Sequence, residues 1–305
     1  MQHKHRGLIS LAAAAALVGT MLGTGPAALA ESPNPYPSVP PTVTWHSDGN
    51  PILYDAATQT PGLGQTSYFS ADAATFVDNG VLYIYAGHDE ASTSTGDFRM
   101  YNYGVFATTD VEGGDWSLWY QNLVPTTVFP DWANGQRAFA GAVVKDPVTN
   151  KYYWYVPVQT NSTDTASTHG NNMAIGVAVS DTPVGPWTDA RKTDTTPGTP
   201  ILDYAGLYGT TLSQGEIIDP HVMIDPDTDR VWLYWGGAAS ARVIEMDRDM
   251  IHIKAGATAQ TLSIPSGRFY EAPWVFKKNG IYYYVYDWKY GAIGQCTPSN
   301  YQACI

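Results

Sequence analysis

Three acidic residues, Asp72, Asp219 and Glu271, hold matching places in a pattern that recurs along this 305-residue chain, and carboxyl groups so matched suit acid–base chemistry on an acetal. The pattern is a short apolar run, a tight turn and an aromatic run. Aligned on the last apolar residue of the first run, Val77, Val144, Ile224 and Phe276, the position five earlier is Asp72, Phe139, Asp219 and Glu271. If these slots converge, one protonated carboxyl can assist a leaving oxygen while an ionised one activates water, each contributing roughly 10² to 10⁴ in rate. A third carboxylate beside the acid raises its proton affinity; lifting a Glu by two units takes roughly 2.7 kcal/mol, and Asp219 is the candidate source. Phe139, in the remaining slot, offers an apolar wall for a sugar or packs in the core.

The elements that must position these acids are hairpins. The first unit runs Ala71–Val77, turns at Asp78-Asn79-Gly80 and returns as Val81–Tyr85, with Tyr103–Thr108 as a third strand; an Asn-Gly turn between apolar runs is a strong hairpin signal. The second runs Phe139–Val144, turns from Asp146-Pro147 to Asn150, and continues as Tyr152–Val156 and Ala174–Ser180. Val222–Ile224, Val231–Trp235 and Arg242–Met246 form the third, and Glu271–Phe276, Asn279-Gly280 and Ile281–Tyr286 the fourth. Such returning antiparallel units predict an all-β chain of propeller blades, with first strands lining a central channel; a β-sandwich is the competing architecture. Asp is also an ordinary turn residue, as Asp146 and Asp225 illustrate, but Asp219-Pro220 precedes its strand, as Asp72 and Glu271 do.

Around this domain, 50–305, lie two segments read differently. Residues 1–30 combine Lys4 and Arg6, the apolar run Leu8–Leu22 and Ala28-Leu29-Ala30, the pattern of a secretory signal peptide, so a secreted, extracellular protein without a membrane span is expected. Residues 31–49 form a Pro-rich lead-in, extended on the surface. Removing the leader takes the formal charge from −12 to −14, a surface that repels phosphate backbones and excludes nucleic acid while leaving neutral polysaccharide or oligosaccharide as partner. Cys296 and Cys304, the chain's two cysteines, are expected to close a loop as a disulfide, and no metal-ligating set stands out. His88 and Asp89 end the second strand of the first unit at the expected rim of the pocket, and His221, two residues after Asp219, is aimed by strand alternation to the same face. His88 and His221 are therefore candidate substrate contacts, with packing between blades as the alternative.

Ser70-Ala71-Asp72 with Tyr83-Ile84-Tyr85-Ala86-Gly87-His88-Asp89-Glu90, Ala138-Phe139-Ala140-Gly141-Ala142-Val143 with Tyr153-Trp154-Tyr155-Val156-Pro157, Ile218-Asp219-Pro220, and Phe269-Tyr270-Glu271-Ala272-Pro273-Trp274 together resemble glycoside hydrolase family 43. The resemblance runs from about Asn50 to the last residue. It implies a five-bladed propeller, of which about four blades are visible, and an inverting hydrolase of arabinoxylan, arabinan or xylooligosaccharides. It also implies Asp72 as general base, Glu271 as general acid and Asp219 as the residue that tunes and orients the acid. Base and acid are then expected about 6.5–9.5 Å apart. The pattern around Phe139 and Trp154-Tyr155-Val156-Pro157 looks most like the arabinofuranosidases. Ala73 stands where the family has Pro, and the chain stops at Ile305 inside the third strand of the fourth unit, so the sequence reads as truncated before a fifth blade. No cofactor is required, a structural calcium ion on the propeller axis is an option, and a monomer is expected. The alternatives are a β-xylosidase or endo-arabinanase of the same family, a carbohydrate-binding propeller without catalysis, and a retaining fructan-type hydrolase.

Overall fold

In the computed structural model the described residues are 38–46, 70–89, 99–161, 172–193, 195–203, 217–237, 240–264 and 269–288. They form four antiparallel sheets and a single four-residue helix, α1 (Pro125–Val128). The first sheet contains β1 (Val43–His46), β2 (Ser70–Asp78), β3 (Val81–Asp89), β4 (Met100–Thr108) and β5 (Asp115–Leu123) in the order β1-β5-β4-β3-β2. The second contains β6 (Ala133–Ala138), β7 (Ala142–Lys145), β8 (Tyr152–Thr160), β9 (Met173–Ser180) and β10 (Thr188–Asp189). The third runs β11 (His221–Ile224), β12 (Val231–Trp235), β13 (Arg242–Met246), β14 (Gln260–Thr261), and the fourth is the hairpin of β15 (Phe269–Lys278) and β16 (Ile281–Trp288). Cys296, Cys304 and the leader lie outside the described residues, among which no helix is long and apolar enough to cross a membrane.

The innermost strands β2, β7, β11 and β15 lie side by side in that order and line an open axial cavity of about 550 Å³, as propeller blades do. What joins the first three blades is shown by the aromatic strand β8, apolar on both faces. In β8, Tyr152, Trp154 and Val156 pack with Tyr83, Tyr85 and Tyr103 of the first sheet, whereas Tyr153 and Tyr155 pack with Val231, Leu233 and Trp235 of the third. Buried tyrosine hydroxyls find acceptors across the seams: Tyr85 donates to Pro183 O at 2.7 Å and Tyr155 to Met250 O at 2.6 Å. Trp187 packs on Trp154 with ring centroids 5.2 Å apart and donates to Asn122, so it is a packing residue, as expected.

A second joint recurs at the turn end of the axis. The acid just before each of the first three turns reaches the next blade. Asp78 accepts from Lys145 at 2.9 Å and Tyr152 at 2.5 Å, Asp146 from Arg248 at 2.6 Å, and Asp225 from Tyr282 at 2.8 Å. Asp146 and Asp225 also cap their own turns by accepting backbone N–H groups of Val148 and Asp227. Asn79-Gly80 and Asn279-Gly280 have positive φ at both positions, the hairpin geometry expected for Asn-Gly.

Two expectations need correction. The lead-in does not stay a surface coil: β1 pairs with β5 in register Trp45↔Trp116, and Trp45 is buried against Phe106, because an indole on a strand has more to gain in the sheet than in water. Phe139–Val144 is not one strand; β6 and β7 both pair with β8, and Phe139, Ala140 and Gly141 form the break between them.

Candidate active site

Each inner strand begins with an irregularity in its ladder. In β2, Ala71 pairs with Gly87 and Ala74 with Tyr85, so Asp72 and Ala73 stand against one residue, Ala86. Before β11, Gly236 N–H donates to Ile218 O at 3.0 Å and His221 pairs with Tyr234, leaving Asp219 and Pro220 against Trp235. In β15, Glu271 pairs with Asp287 and Trp274 with Val285, leaving Ala272 and Pro273 against Tyr286. The first bulge residue is left-handed in all three, with φ 53° at Asp72, 52° at Asp219 and 56° at Ala272. Such bulges bend the strand and re-aim its side chains, and a non-glycine residue there stores strain typical of functional sites.

This register corrects the alignment made from apolar residues. Asp72 and Asp219 are equivalent, but Glu271 is equivalent to Ala71, Phe139 and Ile218, one residue earlier in the bulge. Val77 and Phe276 misled because they are 65% and 39% exposed, so burial does not hold them at a common position. The turn sets the register instead: Asp72 stands eight residues before Gly80, as Ala272 does before Gly280.

The acids nevertheless meet. Asp219 is buried and accepts the backbone N–H of Ala272 at 3.0 Å, which ties it to the residue following Glu271. Tyr103, buried on β4, donates its hydroxyl to Phe139 O at 2.5 Å. Burial, then the charges of Asp219 and Asp72, push that hydroxyl far above the usual tyrosine range. Asp72 keeps an exposed surface, yet the protein around its carboxyl raises its pKa by desolvation, with the Asp287 charge as second cause. Asp89 is raised by burial and then by Asp72, and is lowered by His88. Asp72, Asp89, Asp219, Glu271, Asp287 and Tyr103 are thus linked pairwise, by charge or by ladder partnership, at the head of the inner strands. Sequence reasoning missed Tyr103 and Asp287; counting back from the Asn279-Gly280 turn sets Trp288 opposite Glu271, and only the bulge between Glu271 and Trp274 brings Asp287 there.

The other predicted contacts sit differently. His88 is buried with its ring 5.4 Å from that of Tyr120 within the first sheet, the packing alternative, although its charge is felt at Asp89. Phe139 contributes its backbone to the site, accepting from Tyr103 and donating to Pro157 O at 3.1 Å. His221 is not aimed beside Asp219, because the left-handed Asp219 breaks the alternation. Its Nε2 donates to Val275 O at 2.8 Å, its ring lies 4.2 Å from that of Trp274, and burial lowers its pKa to about 4. Among the described residues no group of three or more His, Cys, Asp or Glu is arranged to hold a metal ion. The described wall of the axial cavity is largely apolar, with carboxylates only at Asp225 and Asp229, and does not fit the six to eight oxygens that calcium takes.

Residues 115–301 match the family described as Glycosyl hydrolases family 43. The chain belongs to that family. A xylosidase/arabinosidase of Bacteroides ovatus is 28% identical over 249 residues, covering 72% of this chain and 70% of that one. A β-D-galactofuranosidase of Aspergillus niger is 38% identical over 120 residues, 39% of this chain and 30% of that one. Among solved structures, an α-L-arabinofuranosidase from Clostridium thermocellum aligns with a TM-score of 0.54 at 29% identity, covering 74% of this chain and 66% of that one. The chain therefore spans between 30% and 70% of the length of these relatives. Its four sheets are blades of the five-bladed propeller of family 43.

Proposed function

We propose that this protein is an inverting glycosidase that releases arabinofuranosyl residues, or alternatively xylosyl residues, from plant cell-wall hemicellulose of the arabinoxylan type. The observation that supports the reading is the hydrogen bond from the N–H of Ala272, the residue after Glu271, to Asp219, with the charges of Asp219 and Asp72 both acting on Tyr103. In this reading Asp72 is the base that takes a proton from the attacking water, and Glu271 is the acid that protonates the leaving glycosidic oxygen. Asp219, bonded to the N–H that follows Glu271, holds the strand carrying the acid. The names of the Bacteroides and Clostridium relatives support the sugar class. Following the anomer released early in hydrolysis by NMR tests the mechanism: an inverted product is expected, and a retained one refutes it. Release of arabinose against xylose from arabinoxylan tests the substrate.

A second reading, a β-D-galactofuranosidase, is favoured by the Aspergillus relative. It predicts faster cleavage of an aryl β-D-galactofuranoside than of an aryl α-L-arabinofuranoside. We further propose that the protein is secreted, on the strength of residues 1–30, and acts as a monomer. Recovery from the medium of protein beginning near Glu31, eluting at the mass of one chain, is the expected result.

A further inference from the structure

We infer that Asp287 is a fourth carboxylate of this site, a positioning residue that acts on Asp72 and Glu271 through its charge rather than by touching the scissile bond. The inference rests on the reading of Asp72 as the base. It begins with a conflict in the fourth hairpin. Asp287 is the cross-strand partner of Glu271, and side chains of such partners start about 4.5–5.5 Å apart, where like charges destabilise a sheet. Ladder irregularities bracket the pair on both sides, between Phe269 and Glu271 and between Glu271 and Trp274.

The other blades show that this carboxylate is no requirement of the hairpin. The residue opposite the slot of Glu271 is Gly87 facing Ala71, Pro157 facing Phe139, and Gly236 facing Ile218. A carboxylate stands in that place only where the slot itself holds one. Local choices that oppose stability while their repeats avoid them mark function rather than folding. Asp287 is also free to act: it is exposed, its bond is to the backbone N–H of Trp288 at 2.9 Å, and among the described residues no Lys or Arg pairs with it.

Its charge reaches across the site to Asp72 on β2. The other titratable groups facing this place are Asp89 from β3 with His88 beside it, Tyr103 from β4, Asp219 from before β11 and Glu271 from β15. Apart from His88 these are acids or a phenol, and Asp287 adds a negative charge to theirs at Asp72. An added negative charge favours the protonated form of its neighbours, which keeps a proton available on the acid and makes the ionised base a stronger proton acceptor.

The test uses the full-length protein with Asp287→Asn, Asp287→Ser and Asp287→Glu, reading kcat/KM against pH on whichever aryl glycoside it cleaves. The acid limb is expected to move to lower pH in both neutral variants and to stay in place in Asp287→Glu. The Asp72 carboxyl, followed by ¹³C NMR and assigned by its loss in Asp72→Asn, is expected to titrate at lower pH in the neutral variants, a readout independent of turnover. An acid limb and a carboxyl titration unmoved in both neutral variants would overturn the inference, as would a Glu variant that moves as far as Asn. Asp72→Asn with near-normal turnover would instead overturn the reading of Asp72 as base, leaving the NMR result to judge Asp287 alone.

Discussion

His221 makes the stability of this fold depend on pH between 6.5 and about 4. Its Nε2 faces Val275 O, and a carbonyl can only accept, so the ring is the Nε2–H tautomer with Nδ1 bare. Among the described residues no hydrogen-bond partner reaches Nδ1. Protonating it would bury a charge with an unsatisfied donor, and burial accordingly lowers the pKa from 6.5 to about 4, partly offset by the bond to Val275. The sign follows from proton counting. Near pH 7 both folded and unfolded chains hold a neutral ring. As pH falls through 6.5, the unfolded chain takes a proton that the folded one refuses, and the folded state loses ground until about pH 4, where its own ring protonates. At about 1.36 kcal/mol per unit, the shift is worth roughly 3 kcal/mol. Urea unfolding followed by tryptophan fluorescence, for the wild type and for His221→Gln at about pH 7 and about pH 4, isolates the effect. The amide of Gln can still donate to Val275 O but cannot titrate, and contributions from Asp72, Asp146 and other acids cancel in the difference. The wild type is expected to lose roughly 3 kcal/mol more than the variant across that range. A difference between the two proteins constant to within roughly 0.5 kcal/mol would refute the reasoning.

Asp72→Asn and Glu271→Gln are each expected to lower kcat by about 10² to 10⁴ while oligosaccharide binding by calorimetry persists, and near-normal turnover in either removes that residue from the mechanism. Gly141→Ala places a Cβ 2.7 Å from Trp154 Nε1 and 2.9 Å from the backbone oxygen of Tyr155, so a loss of about 1–3 kcal/mol in urea unfolding is expected. Tyr103→Phe takes away the hydroxyl that donates to Phe139 O. It is expected to cost about 1–3 kcal/mol by the same measurement, and an unchanged midpoint would mean that this bond carries no net stability.

Much of the fold was legible because its signals are local. Asn79-Gly80 and Asn279-Gly280 mark hairpins by their own backbone preference, and Tyr152–Val156 announces a strand buried on both faces by the density of its apolar residues. The three acids were legible because they stand at the heads of apolar runs, Asp72 and Glu271 within the opening residues of their strands and Asp219 just before its own. Their mutual register was not: apolar residues at exposed strand ends, Val77 and Phe276, carry no positional information, and bulges shift a side chain without any change of composition. β1 escaped notice for a related reason. Val43–His46 is too short and too close to prolines to read as a strand, and only the sheet edge offered by β5 makes it one.

By itself the sequence determined that this chain is β-structured, that its hairpins repeat, and that Asp72, Asp219 and Glu271 stand at their entrances, since turn chemistry and strand patterning are properties of neighbouring residues. Tertiary structure alone decided that Glu271 sits one residue out of step with the two aspartates, that Asp287 faces it, that Tyr103 feels the charges of Asp219 and Asp72, and that His221 holds two blades together instead of facing the acids. These are relations between residues far apart in the chain, set by ladder registers and by the seams between sheets, where a hydrogen bond or a buried ring has no counterpart in local sequence.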